Sequence, residues 1–507
     1  MRTLPFLSML VVLPALGAVA LAWIRQPARA RQVAVGVTAL TLALAGVVIG
    51  LFQSGASGPQ LVDAWGRVPG LGLELLLGVD GASVVALALT ALLTLGLVAA
   101  GPRQALDRSA LVVLLLTESA TLGFFCARDL ALLSLFWVAT LVPGGVLVSR
   151  SARARPESRA LRTFRTYMLA GTLPLLLATA LVGVQGWSAG VESPFELTGL
   201  IARGVPGSWQ LAMFGLLLLA AGVRMAVVPF HSWLPVLMAR GPFGLSLLLV
   251  NMHAGLFLLL RVVIPLLPEA WAAGEVMLTA VGLFSGLYGA VLALAQVDLR
   301  RTVGFMMVSQ SGLLLAGLAT MNAQSVAGVL LQSVAAGVAL AGLKLVVEAL
   351  GARTGTTDMT RLGGLVRKTP RMAAFFFLLS FASVGFPGTL SFVGEDLLLH
   401  GVLEAHPLVA LPLLLTTAIC GITLFRAFQK TFLGGLSPEQ KIRLDTVEDL
   451  LPRERFAALG LFALVFVGGV LPGPLLRMRE HEVDKMVGRV ATVRGTPAPA
   501  TAPHPPL

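Results

Sequence analysis

The chain has 507 residues, of which 56% are hydrophobic and only 12% charged, about half the charged share of an ordinary soluble domain. Its mean hydropathy of +0.88 is spread along the whole length, which excludes both a soluble enzyme and a globular domain with one anchor, and leaves a polytopic membrane protein. The formal net charge of +12 would point to nucleic acid in a soluble protein, but the basic residues fall between apolar runs; lipid head groups and membrane orientation account for them there, and nucleic acid is discarded as a partner.

In chain order, apolar runs of about 17–25 residues, enough to cross a hydrocarbon core, lie near 4–23, 33–52, 82–100, 109–125, 130–148 and 164–184, then near 209–235, 243–267, 274–296, 302–321, 325–350, 371–400, 407–432 and 455–475. None alternates polar and apolar residues as a membrane β-barrel strand does. The expected fold class is therefore all-α, a polytopic membrane protein of about 14 transmembrane helices. Arg2 before the first run also fits a cleaved signal peptide, but the run continues through Trp23 as a retained helix does. From about 490 the chain reads TVRGTPAPATAPHPPL, too poor in large apolar side chains to fold.

Lys and Arg in the short loops set the orientation. The loops after spans 1, 3, 5, 7, 9, 11 and 13 carry Arg25, Arg29, Arg31, Arg103, Arg150, Arg240, Arg300, Arg353 and Lys430 among others, whereas the opposite loops carry only Arg67, Arg128 and Arg203. This asymmetry puts both termini on the non-cytoplasmic side of a cell inner (plasma) membrane, with the basic segment from Arg477 to Arg494 as the contrary sign.

An ionisable group inside the bilayer is costly and needs a partner or a reason. Five positions stand out: Arg224, five residues before Pro229 in GVRMAVVPFHSWLP; His253 in NMHAGLFLLLR; Lys344 and Glu348, four apart on one helix and able to pair; and Glu395 in GFPGTLSFVGED. Pro229 removes a backbone donor and should break its helix, and Gly385, Pro387 and Gly388 interrupt a second apolar run. Plainer readings stand beside these: a structural kink at either break, an interfacial His231, and a Lys344 that snorkels or merely neutralises Glu348. Glu395 is the hardest to dismiss, because a carboxylate at a glycine-rich break needs a cation or a proton path.

The two breaks lie five spans apart, so each of two five-helix units carries one at its fourth position, and an odd number of helices gives such units opposite topology. The expected organisation is helices 1–3 over 1–105, a first unit over 106–268 (spans 4–8), a second over 269–433 (spans 9–13), an amphipathic connection with the last helix over 434–480, and a disordered tail over 481–507. Cys126 and Cys420, the only cysteines, stand far apart, which excludes iron–sulfur ligation, a Cys-rich metal site and a disulfide framework. With no dinucleotide fingerprint and no haem-attachment motif, no cofactor, no metal and no catalytic residue are expected, and the chain should do no redox chemistry by itself.

The segments GVDGAS (78–83), GFFCARDLALLSLFWVATLVP (123–143), VRMAVVPFHSWLP (223–235), YGAVLALAQVDLRRTVGFMMVSQSG (288–312), LGGLVRKTPR (362–371) and GFPGTLSFVGE (385–395) together resemble the proton-translocating antiporter-like subunits of respiratory complex I. Within that family the subunit M branch of the NADH-quinone oxidoreductases is most similar, with relatives in Mrp-type antiporters and membrane-bound hydrogenases. The resemblance runs in order through spans 3 to 14, including DLLPRERFAALGLFAL. It implies fourteen helices, breaks in spans 7 and 12, inverted repeats, and a non-redox membrane subunit of a translocase. Its implied partners are other membrane subunits, the lipid bilayer and protons, with quinone reached only through the complex.

The family's row of buried charges is altered here. The span 5 carboxylate falls on Val138, the span 7 lysine on Arg224, the span 8 lysine on His253, and two histidines on Gln310 and Ala336; Glu395 keeps its identity. A guanidinium holds charge but does not release a proton in proteins, whereas a histidine, as at position 253, is a residue type that can titrate near neutrality and relay. Lys344 and Glu348 occupy positions where the family is apolar or small. The resemblance thus leaves a subunit with a relocated proton path, a non-conducting scaffold in a related assembly, and a cation/proton antiporter subunit as readings.

Overall fold

A computed structural model of the chain describes residues 4–56, 58–68, 70–102, 105–153, 159–241, 248–435 and 447–495. Helices α1 (Phe6–Trp23) and α2 (Pro27–Leu51) lead into a hairpin of strands β1 (Gln60–Val68) and β2 (Leu73–Val79), followed by α3 (Gly81–Ala100), α4 (Arg108–Cys126), α5 (Leu130–Arg153) and α6 (Arg159–Ser188). The short α7 (Leu197–Arg203) precedes α8 (Gly207–Met225), α9 (Trp233–Arg240) and α10 (Leu248–Leu258), which passes through a π turn at Leu259–Val263 into α11 (Ile264–Leu266). Then come α12 (Pro268–Ala295), α13 (Leu299–Ala319), α14 (Ala323–Thr354), α15 (Pro370–Ala382), α16 (Leu390–Ala405), α17 (Pro407–Phe432), α18 (Pro452–Val470) and α19 (Gly473–Arg494).

Among the described residues 10 helices are long and apolar enough to cross a membrane alone, or 11 if the pair α18 and α19, bent by 72°, is one span. The other expected runs fall in shorter or interrupted helices: Leu130–Val146 within α5, His253–Leu266 across α10 and α11, and Pro370–Ala382 in α15. The all-α polytopic class holds, with one addition that the apolar runs could not announce. The antiparallel hairpin lies between two spans and is tied to α1 by Ser8, whose amide and hydroxyl donate to Asp63 at 2.8 and 2.9 Å.

Small residues set the packing where helices meet without large side chains between them. Gly282, Gly286 and Gly289 of α12 face Ala316, Gly312 and Ser309 of α13, and a Cβ on Gly312 would stand 2.2 Å from the Gly286 nitrogen. Helix α14 is buried along nearly its whole length, 89% of its most apolar window, and packs on α13, α15, α16, α18 and α19.

Both expected breaks are present. Helix α8 stops at Met225, Ala226 takes a left-handed conformation with φ of 57°, and Val228–Pro229 is cis. The backbone groups so released are recaptured: Trp233 Nε1 donates to the Val223 carbonyl at 2.9 Å, and Ser285 Oγ accepts from Val228 N at 3.0 Å. At the second break α15 ends at Ala382, and Gly385 (φ +70°) and Gly388 (φ +88°) turn the chain before Thr389 caps α16.

The expected disordered tail over 481–507 is corrected over its first part. Helix α19 continues to Arg494 because Val483, Met486, Val487, Val490 and Ala491 recur at helical spacing and are buried on α3, α12 and α14. Its low overall hydropathy hid that stripe. Residues 496–507, and 436–446 of the expected amphipathic connection, lie outside the described residues.

Candidate functional site

Helix α14 threads the centre of the candidate site. Near its middle the Gln332 amide nitrogen donates to Glu395 Oε1 at 3.0 Å and to Gln310 Oε1 at 3.0 Å, and the Gln310 amide donates to the Ser383 carbonyl at 3.4 Å. Glu395 is buried, and its other oxygen lies against the second break: a Cβ on Gly385 would stand 2.5 Å from Oε2. The carboxyl group, a chain of two amides and an opened helix thus share one place. Of these residues Glu395 and Gly385 stood out in the sequence and Gln310 through the resemblance; Gln332, an uncharged side chain in an apolar run, carried no charge signal to mark it.

Five residues along α14, about 7.5 Å at the usual helical rise, Gly337 receives His253 from α10. A Cβ there would lie 2.5 Å from His253 Nε2, so the absence of a side chain is what admits the imidazole. His253 is buried, and Nε2 has no hydrogen-bond partner among the described residues.

Seven residues further, Lys344 and Glu348 pair as their spacing implied, and the pair has a third member. Arg300 Nη2 donates to Glu348 Oε2 at 2.7 Å, while Lys344 Nζ contacts Glu348 Oε1 and donates to the Met238 carbonyl at 3.2 Å. Lys344 therefore ties α14 to α9, the segment beyond the first break. Its side chain is 5% exposed.

Arg224 immediately precedes the first break. It is buried at the end of α8, its guanidinium 4.5 Å from the Trp137 ring centroid, and Nη2 donates to Thr140 Oγ1 at 2.6 Å. Those partners on α5 are an aromatic face and a hydroxyl. Val138 and Ala336 add no titratable group.

One buried acid escaped the sequence reading. Glu118 of α4 is 0% exposed, and neither carboxyl oxygen has a hydrogen-bond partner among the described residues. The signal was available, a single carboxylate within the apolar run LVVLLLTESATLGFF.

At one end of the bundle a second charged cluster formed by distant residues anchors the fold. Asp80, the N-cap of α3, accepts from Arg261 Nη2 at 2.6 Å and from Arg128 Nη1 at 3.0 Å. Burial opposes its ionisation, but Arg261 and Arg128 outweigh burial and hold the Asp80 carboxyl at about 2. Beside it, under α19, lies a cavity of about 270 Å³ lined in part by Arg128, Arg261, Glu482, Lys485 and Arg489. Among the described residues no group of three or more His, Cys, Asp or Glu could hold a metal ion.

Two broken helices flanking a buried row of titratable and amide side chains define an antiporter-like membrane subunit. The description "NADH:quinone oxidoreductase/Mrp antiporter, TM" matches residues 127–420, and the chain belongs to that family. It is 30% identical over 481 residues to NAD(P)H-quinone oxidoreductase chain 4 1 of Synechococcus sp. (strain JA-3-3Ab), covering 92% of this chain and 90% of the relative. It is 26% identical to NADH-quinone oxidoreductase subunit M of Rickettsia conorii (strain ATCC VR-613 / Malish 7), covering 96% and 99%. A chain of respiratory complex I from Thermus thermophilus with bound NADH superimposes with a TM-score of 0.86 at 28% identity, covering 96% of this chain and 99% of that one. A chain of the Mrp complex from Dietzia sp. DQ12-45-1b shares the fold, with a TM-score of 0.81 at 19% identity over 97% and 99%.

Proposed function

We propose that the chain is a membrane subunit of a complex I-like NADH-quinone oxidoreductase and contributes to proton translocation coupled to electron transport, in lateral contact with other membrane subunits. The carrying observation is Glu395, a buried carboxyl group held by the Gln332 amide and facing the glycine-opened break at 385–388. An open helix end leaves backbone groups that attract water, which lets the acid exchange a proton without a full desolvation penalty. His253 of α10, seated against Gly337 of α14, and the Lys344–Glu348 pair of α14 form the remainder of the path, with Arg224 as a fixed positive charge beside it.

Units 106–268 and 269–433 are the two inverted halves, a reading supported by the breaks after α8 and α15, each in the fourth expected span of its unit. Loop charge supports placing both termini on the non-cytoplasmic side of the inner (plasma) membrane. A non-conducting scaffold is favoured by one observation, the Arg224 guanidinium seated on Trp137 and Thr140, since guanidinium does not pass protons. The proton-to-electron ratio of reconstituted complex carrying Glu395→Gln separates the two. A lowered ratio with normal subunit content is expected, and an unchanged ratio overturns the pumping role.

A further inference from the structure

Glu118 and His253 are both buried and both hold polar atoms without a hydrogen-bond partner among the described residues: Oε1 and Oε2 of the acid, Nε2 of the imidazole. An ionised carboxylate in that state is costly, so the group is either protonated or hydrated. The two side chains stand on facing helices. Phe125 of α4 packs edge-on against Phe257 of α10 with ring centroids 4.9 Å apart, and one step further along both helices Arg261 Nη1 donates to the Ala127 carbonyl at 3.2 Å. Later residues meet later residues, so α4 and α10 run in the same direction.

Glu118 precedes Phe125 by two helical turns and so shares its face, about 10.5 Å back along the axis; His253 precedes Phe257 by about one turn, about 6 Å back. The offset along the axes is therefore about 4.5 Å, across a helix pair whose usual axial separation is about 8–10 Å. That is within reach of one or two bridging waters.

We propose that Glu118 is a proton-carrying carboxyl group of the 106–268 half, connected through water to His253; this deepens the proton-translocation reading and rests on it. In the step, a proton leaves a Glu118 oxygen as one is gained at His253 Nε2 through the intervening water, giving carboxylate and imidazolium, and no electron moves. His253, at Gly337, then presents the proton to α14, the helix that carries Gln332 and Lys344.

The test compares Glu118→Gln with Glu395→Gln in reconstituted complex, subunit content measured on each sample. Glu118→Gln keeps shape and hydrogen-bonding capacity but cannot ionise, and a proton-to-electron ratio lowered to the level of Glu395→Gln is expected. A wild-type ratio in Glu118→Gln alongside a lowered one in Glu395→Gln overturns this inference and leaves the proposed function standing; wild-type ratios in both overturn the two together. Should Glu118→Gln fail to assemble, wild-type complex treated with dicyclohexylcarbodiimide, which modifies protonated carboxyl groups in apolar surroundings, decides by peptide mass mapping. An adduct on Glu118 supports the proposal, and an adduct on Glu395 with none on Glu118 overturns it.

Discussion

Asp80 and Arg261, 181 residues apart in sequence, meet at 2.6 Å, where Arg261 Nη2 donates to Asp80 Oδ2. The contact joins the start of α3 to the π turn that follows α10. Arg128 closes the same carboxylate from a third segment at 3.0 Å, so one acid fastens three separate parts of the chain.

Replacing that acid should loosen all three. Asp80→Asn leaves two buried guanidinium groups facing a neutral amide, and the loss of one member of a buried ion pair costs about 3–5 kcal/mol. The expected outcome is a clear fall in the thermal unfolding temperature of purified complex and in subunit content. The pH dependence has a definite sign. A carboxyl group held at about 2, against an ordinary 3.8, contributes stability that is fully present above the ordinary value and is lost as pH falls through the lowered one. Melting profiles of wild type should therefore owe no change to Asp80 between pH 5 and 8, and the difference between wild type and Asp80→Asn should shrink only on strong acidification; a difference already vanishing near pH 6 contradicts this assignment.

Gly385→Ala probes the second break. The backbone there has φ of +70°, and the added methyl carbon would fall 2.5 Å from Glu395 Oε2. The left-handed conformation alone costs about 1–2 kcal/mol for a residue with a Cβ, and the carboxyl group must move as well. Proton translocation should fall as in Glu395→Gln while electron transfer from NADH stays closer to normal. Gly421→Ala is the control, since nothing lies within 4 Å of its would-be Cβ. Equal behaviour of the two variants would remove the special role given to position 385.

Orientation is checked with single cysteines at two exposed positions, Ser188 and Ala352. In intact cells an impermeant thiol reagent added outside should label Ser188→Cys and spare Ala352→Cys until the membrane is opened. The opposite pattern inverts the topology read from the loop charges.

The polytopic helical class and both breaks were legible because each rests on local chemistry: apolar runs of membrane length, Pro229 with its missing donor, and the glycines that flank Pro387. The Lys344–Glu348 pair was legible for the same reason, four residues on one helix. Arg300 was not, because it reaches Glu348 from 48 residues away, a distance at which sequence spacing says nothing about proximity. Gln332 was hidden by being uncharged, although an amide between Gln310 and Glu395 holds the acid in place. The hairpin lies in a segment with no apolar run to mark it, and α19 was obscured by its charged face although Val483, Met486, Val487 and Val490 carry the helical period.

The position of α14 has a consequence for how its neighbours can move. Gln332 meets Glu395 of α16 and Gly337 admits His253 of α10, both fixed by the same rod of backbone. A helix is stiff along its length, so a slide or turn of α14 that separates one of these contacts must change the other by a comparable amount. The two contacts are geared together, and a motion of α14 felt at Glu395 registers at His253.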